Sequence, residues 1–217
     1  MTSAGFESTG SSQHRRAQDG APSARGHGWT RVPKIAPAAV TTMDPAGRGE
    51  KGESPMRVLV TCGSKRGGTE ELAQMVADGL REEGHAVSLF RPDEVKHLDH
   101  FDAVVVGGAI YAGRWHKSSR RFVRRHAKEL RKLPTFFFSS GPLDDSATKK
   151  EIPPVTGVKR LMQHVNARCH ATFGGRLSPD ATGFPARSMA KEYSGDWRDP
   201  AQVEAWAKTV ASQLKES

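Results

Sequence analysis

From Met56 onward, apolar and polar positions fall into two alternating kinds of block. Short runs rich in β-branched and aromatic residues read as strands: "RVLVTC" (57–62), "AVSLF" (86–90), "DAVVVGGAI" (102–110), "TFFFSSG" (135–141) and "CHATFGG" (169–175). Between them, apolar residues recur at helical spacing. Leu72, Met75, Val76, Gly79 and Leu80 follow the first strand, with Glu70 and Glu71 in the first turn and Gly84 at the end. Phe122, Val123, Ala127 and Leu130 share one face of a helix expected over 117–132, and Val158, Leu161, Met162 and Val165 mark another beyond Pro153-Pro154. "PDEVKHLDHF" is a connection with at most one helical turn. The last helix has a marked start: Asp199 can cap it, Pro200 suits its first position, and Gln202 can reach back as in a capping box. Its stripe is Val203, Trp206, Ala207, Val210 and Leu214.

Strands alternating with helices predict an α/β fold, a doubly wound parallel sheet with helices on both faces. Five strands suit the order 2-1-3-4-5, in which ligands bind at the carboxyl ends of strands 1, 3 and 4. The three unusual loops of the chain follow those three strands.

The first is Ser64-Lys65-Arg66-Gly67-Gly68-Thr69, where a strand gives way to a helix. Glycine lets backbone approach an anion, helix-start N–H groups point at it, and Ser64 and Thr69 add hydroxyls. It is neither a Walker A loop nor G-x-G-x-x-G, and a plain turn explains it about as well as a phosphate site. The second, "GGAIYAGRWHK" (107–117), has Gly107, Gly108 and Gly113 to make room for a ligand, and Tyr111 and Trp115 to stack on a flat ring or to cover a core edge. The third, "SSGPLDD" (139–145), offers Ser139, Ser140 and Gly141 to a polar ring edge, or is an ordinary Gly-Pro turn. Taken together, the loops ask for a phosphate at one end and a planar polar ring at the other, which FMN satisfies.

Residues 56–215 resemble the flavodoxin superfamily, in the branch of flavodoxin-domain proteins related to quinone-dependent protoporphyrinogen dehydrogenase. The resemblance rests on "SKRGGT", "GGAIYAGRWHKSSRRFVRRH", "FFFSSGPL" and "GDWRDPAQVEAWA". It implies a flavodoxin-like fold and an FMN-dependent oxidoreductase, with electrons passing to a quinone as one candidate reaction. Ser64, Lys65, Arg66, Gly67, Gly68 and Thr69 would hold the phosphate. Ala109, Ile110, Tyr111, Ala112, Gly113, Arg114 and Trp115 would border the isoalloxazine, and Ser139, Ser140 and Gly141 would face its pyrimidine side. Two positions depart from the family pattern: Arg66 replaces an aromatic residue or His, and Gly68 replaces Ser or Asn. No catalytic dyad is implied; His116, beside the proposed ring site, is a candidate proton donor and no more.

Composition adds a boundary and a sign. Residues 1–55 are rich in Gly, Ser, Ala, Pro and Arg without periodicity, and are expected to be a disordered tail, with the globular domain at 56–217. Arg15-Arg16 lacks the apolar run of a twin-arginine signal, and Glu7 and Asp19 interrupt a transit-peptide pattern; translation starting at Met56 is the alternative. Cys62 and Cys169 are expected to be free thiols, with Cys62 a packing residue in a reducing cytoplasm. No metal site is expected. The net charge is +9 and the pI about 9.8. Positive charge is concentrated in "KSSRRFVRRHAKELRKL", where Glu129 is the one acid. A solvated face is the plain reading of that helix. Beside the proposed flavin edge it also suits an acidic redox partner or an anionic membrane surface carrying quinone. Nucleic acid is disfavoured, since interleaved stacking aromatics are missing. A non-enzymatic FMN electron carrier and a flavin-less basic interaction module remain the alternative classes.

Overall fold

The computed structural model describes residues 55–65, 67–183 and 186–216. The expected tail and Arg66 therefore lie outside the described residues, apart from Pro55. In chain order the elements are β1 (Arg57–Gly63), α1 (Gly68–Glu82), β2 (Ala86–Phe90), β3 (Ala103–Tyr111), β4 (Arg114–Trp115), α2 (Lys117–Arg125), α3 (Ala127–Leu130), β5 (Thr135–Ser140), α4 (Ser146–Lys149), α5 (Thr156–Val165), β6 (His170–Phe173), β7 (Arg176–Leu177), α6 (Ala186–Tyr193), β8 (Gly195–Asp196) and α7 (Pro200–Lys215).

Five parallel strands lie in the order β2-β1-β3-β5-β6, which is the expected 2-1-3-4-5 once the two-residue β4 is set aside. β4 turns back antiparallel onto the end of β3, pairing Ile110 with Trp115 and Tyr111 with Arg114. Every residue of β5 is buried, as a central strand covered on both faces requires. The period of two then sorts the side chains. Val58, Val60, Phe136 and Phe138 pack with α1 and α7, whereas Leu59, Val104, Val106 and Phe137 pack with α2, α3 and α5. Fully burying one such aromatic contributes roughly 1.5–3 kcal/mol, so the Phe136–Phe137–Phe138 run anchors both layers at once.

Helix 117–132 is interrupted. His126 sits between α2 and α3 with φ −100° and ψ 18°. Its ring is buried, with Nδ1 2.8 Å from Glu129 Oε2 and Nε2 accepting from Arg125 Nε at 3.0 Å. The N-cap of α7 is the expected one: the Asp199 carboxylate accepts from the N–H groups of Ala201 and Gln202 at 2.9 and 3.4 Å. The reciprocal half of the capping box is absent, because Gln202 Nε2 instead donates to the carbonyl of Ala147 at 2.7 Å. Gln202 thus ties α7 to α4. Among the described residues, no helix is long and apolar enough to cross a membrane.

Candidate functional site

At the carboxyl ends of β1, β3 and β5, a pocket of about 360 Å³ opens on the first turn of α1. Ser64, Gly68 and Thr69 line one end. Gly67 caps the helix at φ 81°, a left-handed conformation in which a Cβ is costly, and its N–H donates to Ser64 Oγ at 3.2 Å. Among the described residues, no side chain caps α1. The first N–H groups of a helix have no intrahelical acceptor, and two donors of the turn are already satisfied: the Glu70 and Glu71 N–H groups donate to the Gly67 carbonyl at 2.8 and 3.1 Å. The N–H groups of Gly68 and Thr69 are left at the pocket, where the helix dipole favours negative charge.

Ala109, Ile110 and Tyr111 from the end of β3 form one wall, and Ser140 and Gly141 from the end of β5 form the floor. Tyr111 is 38% exposed, so its ring is available to a ligand. Of the expected site residues, the pocket therefore gathers Ser64, Gly68, Thr69, Ala109, Ile110, Tyr111, Ser140 and Gly141. Lys65 and Gly67 line a neighbouring depression outside the α1 terminus, together with Arg176.

The remaining expected site residues sit elsewhere. Trp115 does not face the pocket. It is buried, lies 4.8 Å from Phe137 between ring centroids, and its indole Nε1 donates to Ser139 Oγ at 2.8 Å. Ser139 is buried as well, and its hydroxyl also meets His170 Nε2 at 2.8 Å. Burial pushes the His170 pKa down to about 4, so the ring is neutral at pH 7. Arg114 lines a groove on the far side of β4. Ala112 and Gly113 form the tight β3–β4 turn, with φ 47° and 70°.

The glycines of β3 also serve another purpose than the expected ligand approach. A Cβ on Gly107 would fall 2.0 Å from Phe138 Cζ, and one on Gly108 would fall 2.6 Å from Trp115 Cγ. Both vacancies are already filled by the protein's own aromatic rings. His116 is a poor proton donor: burial, then Lys65, lowers its pKa, and its Nδ1 is engaged with Ser118 Oγ at 2.8 Å. Cys62 is packed in the core, where its thiol donates to the Thr69 carbonyl at 3.4 Å and burial pushes its pKa far up. It supplies no thiolate.

Sequence reasoning missed the opposite wall. Leu143 and Asp144 follow β5, and Gly175, Arg176 and Leu177 belong to or precede a two-strand ribbon, β7 paired with β8. Met189 and Tyr193 of α6 complete the wall, 40% and 48% exposed. Ion pairs fasten this wall to α1. Arg198, with only 6% of its side chain exposed, holds Glu71 at 2.7 Å and Asp196 at 2.5 Å, and Arg176 holds Glu71 at 2.7 Å. Burial pulls the Glu71 carboxyl upward, but Arg198 and Arg176 outweigh it and hold its pKa below the usual range. The Asp196 pKa is lowered by its hydrogen bond from Arg198. The one readable signal was "GDWRDP", which carries Asp196 and Arg198. Among the described residues, no cluster of three or more His, Cys, Asp or Glu could hold a metal.

Comparison with known proteins places this architecture. A family model described as "Flavodoxin domain" matches residues 59–196. Protoporphyrinogen IX dehydrogenase [quinone] of Escherichia coli is 29% identical over 86 residues, 39% of this chain and 48% of the relative, so the match spans about half the length of that protein. Among solved structures, rubredoxin oxygen:oxidoreductase of Desulfovibrio gigas aligns with a TM-score of 0.51 at 16% identity, covering 75% of this chain and 37% of that one. The flavodiiron core from Synechocystis aligns with a TM-score of 0.50 at 13% identity, over 76% and 37%. These two structures are alike in fold. With the family match extending from β1 to β8, the chain belongs to the flavodoxin domain family.

Proposed function

We propose that the protein is an FMN-binding oxidoreductase whose electrons pass to a quinone. One observation carries the reading: a single pocket joins uncapped N–H groups and hydroxyls at a helix start to aromatic side chains at its rim. The donor set fits FMN. Ser64, Thr69 and the first turn of α1 would hold its phosphate, with Lys65 and Arg176 nearby as positive charge. Tyr111 and Tyr193 would cover the flat ring, while Ser140 and Gly141 would meet its polar edge. Bound FMN supplies electron transfer in one- or two-electron steps. The protein's part is to hold and shield the ring, since among the described residues no histidine and no cysteine lines the pocket. Quinone as acceptor is taken from the name of the Escherichia coli relatives.

The test is a titration of FMN and riboflavin into the purified protein, followed by flavin fluorescence. FMN should bind at micromolar concentration. Thr69→Ala should weaken FMN about tenfold more than riboflavin, because a hydrogen bond to a charged group is worth roughly 1.5–3 kcal/mol. Equal weakening of both ligands would remove Thr69 from the phosphate site, and no binding of either would end the flavin reading.

A further inference from the structure

A second concavity lies away from the pocket, between α2 and α5 and against β4, with a volume of about 630 Å³. Arg114, Arg120, Arg124, Arg160 and His164 line it around Gly157, and no Asp or Glu does. None of the four guanidinium groups forms an ion pair among the described residues. The Nε of Arg120 is shielded from solvent and has no hydrogen-bond acceptor among the described residues.

The other cations of the same segment differ. Arg125 Nη2 donates to the carbonyls of Pro92 and Val95 at 3.0 and 2.6 Å, and Arg131 Nε donates to that of His164 at 2.7 Å. Those two arginines are structural braces. Among the described residues, the side chains of the arginines that converge on the groove form no hydrogen bond and no ion pair with the protein. A helix face that only keeps a protein soluble spreads its charges into water. Here, like charges from β4, α2 and α5 are gathered around one concave space, an arrangement that repels itself unless an anion fills it.

We propose that this groove is a second binding site, for a compact polyanion with closely spaced phosphate groups. Guanidinium forks match phosphate oxygens in pairs. Four of them in one groove ask for several negative charges in a small volume, which a single carboxylate cannot supply. The site is separate from the flavin pocket, because the β3–β4 turn presents Tyr111 to the pocket and Arg114 to the groove.

The experiment is calorimetric titration of the full-length protein with tripolyphosphate at low and high salt, alongside co-sedimentation with phosphatidylcholine vesicles with and without phosphatidic acid. The variant Arg120→Gln/Arg124→Gln/Arg160→Gln is compared with the surface control Arg121→Gln/Lys128→Gln. Tripolyphosphate should bind the parent and weaken with salt. The groove variant should lose on the order of tenfold per guanidinium removed, and the control less than about threefold. If the triple variant does not fold, Arg160→Gln alone should still lose about tenfold, since Arg160 is exposed on α5. Vesicle binding that depends on phosphatidic acid and is displaced by tripolyphosphate would assign the site to a lipid headgroup. Tripolyphosphate binding without vesicle binding would assign it to a free phosphate compound. Absence of both, or a control that weakens as much as the groove variant, overturns the proposal.

Discussion

Replacing Trp115 by Phe separates two roles that the same residue could have in this fold. If the indole is a core element, the variant should lose stability and keep its flavin site. Two losses add up. The first is the hydrogen bond from Nε1 to Ser139 Oγ at 2.8 Å, worth about 1 kcal/mol net because the serine hydroxyl keeps His170 as a partner. The second is the volume of the missing five-membered ring in a site that is 2% exposed and packed against Phe137 and Gly108. Removing about two buried carbons and leaving a small void costs on the order of 1–2 kcal/mol. The total of ~2–3 kcal/mol corresponds to a Tm lower by roughly 5–10 °C in a domain of this size. Thermal and urea unfolding would measure it, with FMN affinity titrated on the same samples. FMN affinity should stay within about threefold of the parent, or less than 1 kcal/mol. A variant of unchanged Tm that binds flavin at least tenfold more weakly would refute the reasoning and return Trp115 to the ring site.

Two further outcomes follow from buried groups nearby. Gly107→Ala should destabilise by about 1–3 kcal/mol, because the added methyl meets the Phe138 ring; a Phe138→Leu background should recover part of the loss in urea unfolding. His170 has a folded pKa near 4 against an ordinary 6.5, so its contribution is present above pH 6.5 and is lost as the pH falls toward 4. The parent should therefore lose up to roughly 2–3 kcal/mol over that window, and His170→Phe should show a flatter profile in denaturant titrations at a series of pH values.

The central sheet was legible because strands covered on both faces are written as continuous apolar runs, as in "TFFFSS", while the helices between them keep a separate period. Strand order followed from the count of five strands in a doubly wound sheet, with right-handed crossovers limiting the alternatives. The pocket was half legible. Its β1–α1 loop and Tyr111 carry composition signals that do not depend on distant partners. Gly107 and Gly108 misled in a specific way: a missing side chain shows that something comes close, and only the fold shows that it is Phe138 and Trp115. The second wall was invisible because two-residue strands have no period, and "ARSMAKEY" leaves Met189 and Tyr193 exposed instead of in a core stripe. The break at His126 was equally hidden, since apolar spacing runs through it.

The ribbon and α6 wall rests on a small apolar cluster, Leu177 and Ala190 with Leu143 and Ala181, and on Arg198 gripping Glu71. Such a unit belongs to the part of a protein that opens most readily, well below the energy of global unfolding. A ligand that touches both walls binds only the closed arrangement, so its measured affinity is its intrinsic affinity scaled by the closed population. Arg198 then acts on binding without touching the ligand: it sets how often the second wall is in place when the ligand arrives. Amide hydrogen exchange across residues 175–183 and 186–196 should accordingly slow when the pocket is filled, and by the same free energy the filled pocket should resist release.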